Sequence, residues 1–404
     1  MKRTSRVKVT GPLTTYADGF GAALAAQGYT LLSARSQLEL LAHVSRWLAA
    51  SGLDVQSLTT ARVDEFLEAR RAAGYTHLLS RRGMDPLLAH LDGLGVLAAP
   101  EPDRPGSVAE TLIADYEQYL LQERGFAAST TQRYVGFARR FLGWCTPGAD
   151  REPDLEGVGA REISEFVVQE CSRRTVGSAK CAVTRLRCLL RFLHVEGYTS
   201  QPLVSVVPAA PSSRLASLPR GVAAGHVARL LASCDRRTAI GRRDFAILTL
   251  LVRLGLRCAE VAALDLDDVD WRAGEVVVRG KARREDRLPV PVDVGEALVG
   301  WLRRGRPDCA CSQVFTRLLA PHRGLTPSGV SSVVTTAARR AELPSITAHR
   351  LRHTAATEML RAGATLPAVG QVLGHHSLLS TSLYAKVDDR ALAQLAAPWP
   401  GGGS

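Results

Sequence analysis

No run of apolar residues is long enough to cross a bilayer, and no apolar segment of the kind that directs secretion follows the basic start Met1-Lys2-Arg3-Thr4-Ser5-Arg6. The eight cysteines (Cys145, Cys171, Cys181, Cys188, Cys234, Cys258, Cys309, Cys311) are scattered, several inside apolar helical patterns. They imply no disulfide framework, and the expectation is a reduced, cytoplasmic chain. The Cys309-x-Cys311 pair with His322 lacks the spacing of common zinc fingers and ribbons. A nucleotide loop is missing too. The nearest approach, Gly274 to Gly280-Lys281, has five intervening residues instead of four, sits in predicted strands, and continues with Ala282 where Ser or Thr would bind magnesium. These absences exclude a membrane protein, a disulfide-stapled secreted domain and an ATP-driven enzyme.

Acidic charge is also in short supply. There are 39 Asp and Glu against 51 Lys and Arg, a net charge of +12, with arginine pairs at Arg236-Arg237, Arg242-Arg243, Arg283-Arg284 and Arg339-Arg340. The excess favours a polyanionic partner, nucleic acid or an anionic membrane surface, although an arginine-rich solvated surface would give the same count. With 46% hydrophobic and 22% charged residues the chain has the balance of a globular protein, and 404 residues suggest two or three domains.

A faint internal duplication runs through the first half. Gly28-Tyr29 and Trp47 match Gly125-Phe126 and Trp144 at an offset of 97, and Phe66 pairs with Phe166 at 100. Leu88, Leu91 and Gly95 pair with Leu190, Leu193 and Gly197 at 102. Two helical modules are predicted, over 1–100 and 107–200, the second with Ser129-Thr130-Thr131 capping a helix that carries Tyr134, Phe137, Phe141 and Trp144. Both tryptophans are assigned to the cores. The Pro- and Ser-rich stretch 201–221 reads as a linker, and 398–404 as a flexible tail.

The domain over 222–397 mixes structure types. A helix from Arg242 to Leu254 should stop at Gly255, with a short helix after Arg257. Glu275–Arg279 and Arg287–Pro291 read as strands, the second at an edge because Pro289 and Pro291 cannot donate to a ladder. Helices dominate from Ser328.

Transfer of a phosphodiester to a side chain needs a nucleophile, donors for the charge on the non-bridging oxygens, a proton acceptor and a proton donor. This domain holds candidates for each. In His349-Arg350-Leu351-Arg352-His353, with Thr347 as cap, positions 349 and 352 share a helical face. Leu373-Gly374-His375 is followed nine residues later by Tyr384, and Gly255-Leu256-Arg257 presents a guanidinium after a glycine turn, with Lys281 at the tip of the predicted hairpin. Taken singly, each would be an ordinary surface, turn or core residue. His353 and His376 are assigned to packing and solvent.

Together these segments resemble the signature of the tyrosine recombinase (phage integrase) family: G-L-R-x-x-E, a hairpin lysine, H-x-L-R-H, and L-G-H with a tyrosine nine residues on. The resemblance covers about Val222 to Ala397, and 107–200 resembles the family's helical core-binding domain. Gly280-Lys281-Ala282 departs where a second glycine is common, and the first module is an addition to the minimal architecture. The resemblance implies a mainly α fold with a small β-sheet (α+β), SAM-like core-binding modules preceding a catalytic domain. It implies Arg257 and Arg352 clamping the scissile phosphate, Lys281 protonating the leaving 5′ oxygen, His349 accepting the tyrosine proton or holding the phosphate, His375 bonding the phosphate, and Tyr384 as nucleophile. Glu260 would orient the site. The expected product is a 3′-phosphotyrosine, formed without metal, ATP or any other cofactor. The expected partners are double-stranded DNA, gripped in a C-shaped clamp, and a homo-tetramer in the synapse, alone or with related recombinases. The tail beyond Tyr384 would dock on a neighbouring protomer. A nucleoid-associated integrase of a mobile element is the leading expectation. A type IB topoisomerase-like nicking-closing enzyme and a catalytically silent DNA-binding accessory protein are the alternatives.

Overall fold

The computed structural model describes residues 7–98, 108–146, 153–172, 174, 176–208, 221–280 and 285–374. Four helices follow one another on one plan, twice. The first set is α1 (Ala17–Ala26), α2 (Leu31–Ala50), α3 (Thr60–Ala72) and α4 (Arg81–Gly93). The second is α5 (Val108–Gln122), α6 (Ala128–Cys145), α7 (Ala160–Ser172) and α8 (Val176–Val195). Gly28 and Gly125, each ending the turn after the first helix, have φ of +81° and +59°; Gly95 and Gly197, after the fourth, have +67° and +77°. The aromatic contacts repeat as well. Trp47 meets Phe66 edge-on with ring centroids 5.7 Å apart, and Trp144 meets Phe166 at 5.4 Å. The faint sequence duplication is thus a duplication of packing, and both tryptophans lie against their modules' separate cores.

Ser129-Thr130-Thr131 does not cap α6. Ala127 holds the cap position without a side-chain bond, and Thr131 is buried within the first turns. Phe126 packs edge-on against Tyr134 at 5.1 Å, and this apolar contact draws the chain into the helix before the serine. Composition set the end of the second module near residue 200, yet its packing runs on. Leu203 and Val207 are buried in its core, and Arg187 donates to Val207 O at 2.9 Å. Two apolar anchors outweigh a Pro- and Ser-rich composition.

By contacts the chain divides into two units, one of Ala99–Arg214 and the other of Met1–Ala98 together with Leu215–Ser404. Within the latter, the backbone N–H of His322 donates to Gln27 O at 2.9 Å. The rest of that unit comprises α9 (Ala224–Ala232), α10 (Ala239–Arg253), α11 (Cys258–Ala263), strands β1 (Val269–Asp270), β2 (Glu275–Arg279) and β3 (Glu285–Pro289), then α12 (Val292–Arg304), α13 (Pro327–Arg340), α14 (Ala348–Arg361) and α15 (Leu366–Val372). Helix α10 is the hub, touching α9, α11, α12, α13 and α14. Ala246, Ile247, Leu248, Leu250 and Leu251 bury its apolar middle on every side, while its charged residues lie toward the two ends. It begins three residues before Arg242 because Thr238 caps it, accepting from Gly241 N at 3.0 Å.

The sheet is antiparallel in the order β1-β2-β3. Strand β1 is two residues long and carries no alternation by which a sequence pattern could show it. Strand β3 starts at Glu285 and ends at Pro289, two residues earlier than expected, because Pro291 caps α12. It is an edge strand, with Pro289 opposite Glu275, so its missing N–H breaks no ladder.

Candidate active site

Helix α14 starts at Ala348 because the Thr347 side chain accepts from Arg350 N at 3.4 Å. His349 and Arg352 then lie one turn apart on the face toward the Gly255 turn. Arg352 is only 4% exposed, and its guanidinium bonds the carbonyls of two different turns, Gly255 O at 2.7 Å and Leu373 O. Arg257 does the complementary thing. It caps α11 in extended conformation, donates its backbone N–H to Glu260 Oε2 at 2.7 Å, pairs its guanidinium with Glu260 Oε1, and reaches Gly374 O at 3.1 Å. Two guanidiniums therefore clasp the turn at Gly255 to the turn at Leu373-Gly374. Fixed planar forks of this kind suit a phosphate, whose oxygens they match bidentately and to which they present charge at any accessible pH.

Glu260 is 7% exposed and spends both oxygens on Arg257, so it orients that side chain as expected. Gly255 has φ +64°, and a Cβ there would lie 2.6 Å from Leu373 Cδ2; only glycine lets the two turns approach. At Gly374, φ +58°, a Cβ would meet Asp286 Oδ2 at 3.4 Å and Arg257 Nη1 at 3.8 Å. Asp286, on β3, thus reaches the cluster. In the sequence it is one charge in the run Glu285-Asp286-Arg287, with nothing to separate it from a solvated hairpin.

His349 and His353, one turn apart, meet edge-on with ring centroids 4.2 Å apart. Burial, then Arg352 and Arg257, hold the His349 imidazole below the ordinary histidine range. Burial, His349 and Arg352 push His353 down to about 4. Both are uncharged in the fold at neutral pH, whereas unfolding returns them to about 6.5. The unfolded chain therefore takes up more protons below that value, and the pair costs stability as pH falls from about 6.5 toward 4.

Lys281, His375 and Tyr384 lie outside the described residues, as does the tail beyond Tyr384. The supports of two of them are visible. The turn that leads into His375 is the one both arginines grip. The hairpin root before Lys281 is held by Asp268, 3% exposed, which accepts from Arg279 Nη1 at 2.6 Å and from Asp265 N at 2.9 Å. Asp268→Asn should lower the urea unfolding free energy by about 1–3 kcal/mol, the usual worth of a buried bond to a charged group. An unchanged denaturation midpoint would remove this pair as the hairpin's anchor.

Cys311 Sγ donates to Gln313 Oε1 at 2.8 Å, and among the described residues no helix is long and apolar enough to cross a membrane. The positive charge is concentrated in the domain with the clasp: residues 221–404 hold 25 Lys and Arg against 17 Asp and Glu, whereas residues 108–208 hold 12 of each.

Comparison with known proteins identifies the family. Residues 222–391 match the model of the phage integrase family. The Sinorhizobium fredii protein y4rA, described as an integrase/recombinase, is 38% identical over 395 residues, 97% of this chain and 95% of its own length. XerD of Mycobacterium tuberculosis, a tyrosine recombinase, is 33% identical over 305 residues, 71% of this chain and 95% of its own length. Among solved structures, XerH bound to palindromic difH substrate in a post-cleavage complex has a TM-score of 0.55 at 17% identity, covering 83% of this chain and 94% of that one. A lambda integrase dimer bound to a COC′ core site gives 0.55 at 18% identity, covering 77% and 88%. The chain belongs to the phage integrase family of tyrosine recombinases. The match to y4rA extends over nearly the whole chain, so the first helical module is shared with that relative.

Proposed function

We propose that this site-specific tyrosine recombinase cleaves DNA with Tyr384, using Arg257, Arg352, Lys281, His349 and His375 as its catalytic set. The phenolic oxygen of Tyr384 attacks phosphorus, and His349 accepts its proton. The P–O5′ bond breaks, Lys281 protonates the leaving oxygen, and a 3′-phosphotyrosine and a free 5′ hydroxyl result. The two arginines and His375 take up the charge on the non-bridging oxygens. Reversal by the 5′ hydroxyl of a second strand rejoins the backbone. The phosphodiester energy is conserved in the tyrosyl ester, so no nucleotide is consumed. Three cations neutralise the transition state without a divalent metal.

The observation that carries this reading is the clasp. The two arginines that must grip one phosphate bond the turns at Gly255 and Leu373-Gly374, so the fold brings the three separated motifs to one place. Neutral His349 beside Arg352 suits proton acceptance better than charge donation. We further propose that the enzyme works as a tetramer of like chains on two duplexes and belongs to a mobile element; the tetramer is supported by the likeness in fold to a lambda integrase tetramer bound to a Holliday junction, at a TM-score of 0.53.

The test uses a nicked duplex built from the DNA that flanks the gene. The wild-type protein should become covalently attached to the 3′ end and exchange strands, whereas Tyr384→Phe should bind the duplex equally and form no adduct. An adduct in the Phe variant would overturn the assignment. Relaxation of supercoiled DNA without exchange would indicate a nicking-closing enzyme, and binding by the wild type without any adduct would indicate a silent accessory protein.

A further inference from the structure

His353 has no place in the reaction above, yet among the described residues its ring stands directly against that of His349. We propose that His353 is a positioning residue, whose ring holds the His349 imidazole in one orientation and ready to accept the tyrosine proton. The inference rests on the role given to His349 in the proposed function, and it deepens that role.

The geometry is specific. The two rings stand one helical turn apart on α14, 4.2 Å between centroids and inclined at 68°, so the edge of one meets the face of the other. An imidazole on the first turn of a helix otherwise has two free torsions, and an aromatic wall at this distance removes most of that freedom. The His353 side chain is half-buried, whereas His349 lies at the exposed end of the pair. Two cationic imidazoles at this separation, beside a buried guanidinium, would repel one another, so the pair does not hold two protons together. The wall thus fixes the ring and keeps water from the one side it covers.

Among the described residues, few charged groups act on the pair, and Asp286 of β3 approaches the same cluster near Gly374. Arg352 comes from the same helix, and Arg257, paired with Glu260, comes from the cap of α11. Helix α15 carries no titratable side chain. The ionisable groups of α10 that have described partners are turned elsewhere: Asp244 pairs with Arg243 and Arg340, Arg253 with Asp293, and Arg242 donates to Arg304 O. Arg352 and Arg257 act on His349, and Arg352 on His353, and each disfavours the cationic imidazole.

The experiment is a histidine ¹³Cε1 NMR titration of the full chain, read together with the pH profile of adduct formation on the nicked duplex. In the wild type, His349 should titrate below the ordinary value. His353→Ala removes the wall, so the His349 midpoint should rise toward the ordinary histidine value, with a loss of adduct rate on the acid limb. His353→Phe rebuilds the wall without a titratable group and should recover the low midpoint and most of the lost rate. His353→Asp should raise the midpoint further than Ala, since a carboxylate favours the cation. A purely structural role would lower thermal stability without moving the His349 midpoint. An unchanged midpoint in the Ala variant, or Phe behaving like Ala, overturns the proposal; if Ala does not fold, the Phe and Asp pair decides by the same criterion. Failure of the underlying reading looks different: His349→Ala would form adduct at the wild-type rate while the titrations remained as predicted.

Discussion

Replacing Arg352 with lysine is expected to lower covalent adduct formation by about two to three orders of magnitude while leaving duplex binding nearly intact, the usual cost of losing one preorganised donor to a developing charge. The reason is geometric, since the charge is conserved. The guanidinium reaches Gly255 O at 2.7 Å and also Leu373 O, on two turns, while presenting a planar fork. An ammonium is a point charge on a flexible stem and cannot bridge both carbonyls and hold a phosphate in a fixed plane. At 4% exposure, a carbonyl left without its partner also has no water to turn to, so stability should fall by about 1–3 kcal/mol. Quench-flow measurement of adduct from the nicked duplex, beside urea denaturation, separates the two losses. A lysine variant that cleaves at the wild-type rate would show that the clasp is not the phosphate site.

The second large effect is expected at Gly255→Ala. Alanine at φ +64° costs about 1–2 kcal/mol for the left-handed backbone, and a methyl 2.6 Å from Leu373 Cδ2 and 3.2 Å from Ala355 Cβ adds about 1–3 kcal/mol of overpacking. Because the displaced turn carries the carbonyl that holds Arg352, activity should fall with stability. Gly274→Ala is the control. Its φ is +67°, but nothing lies within 4 Å of the added carbon, so only the backbone cost should appear. Equal losses in the two variants would mean that the approach of the two turns contributes nothing.

Much of this was legible because local physics leaves marks in a sequence. Gly255 and Gly374 advertise left-handed turns, Thr347 a helix start, and the spacing of His349 and Arg352 a shared face; each depends on a few consecutive residues. The tandem modules were legible for the same reason, as Trp47 and Trp144 recur with their phenylalanine partners. What misled was composition. Ser129-Thr130-Thr131 has the right residue types for a cap, but the contact of Phe126 with Tyr134 starts the helix earlier. The Pro- and Ser-rich stretch after Gln201 looks unstructured until Leu203 and Val207 find a core. His353 was assigned to packing, because a histidine in a helix carries no mark of which ring it faces.

The sequence alone determined the chemical inventory and the local devices that present it: the arginines after a glycine turn and on a capped helix, the histidine one turn away, and an excess of positive charge in the same half. Tertiary structure decided what those residues hold. That Arg352 bonds the carbonyls of turns 97 and 21 residues away, that Asp268 roots the hairpin, and that Asp286 reaches Gly374 are contacts between distant segments. They depend on how α10, α11, α14 and α15 pack, and packing is a property of summed shapes and buried area that no short stretch of sequence encodes.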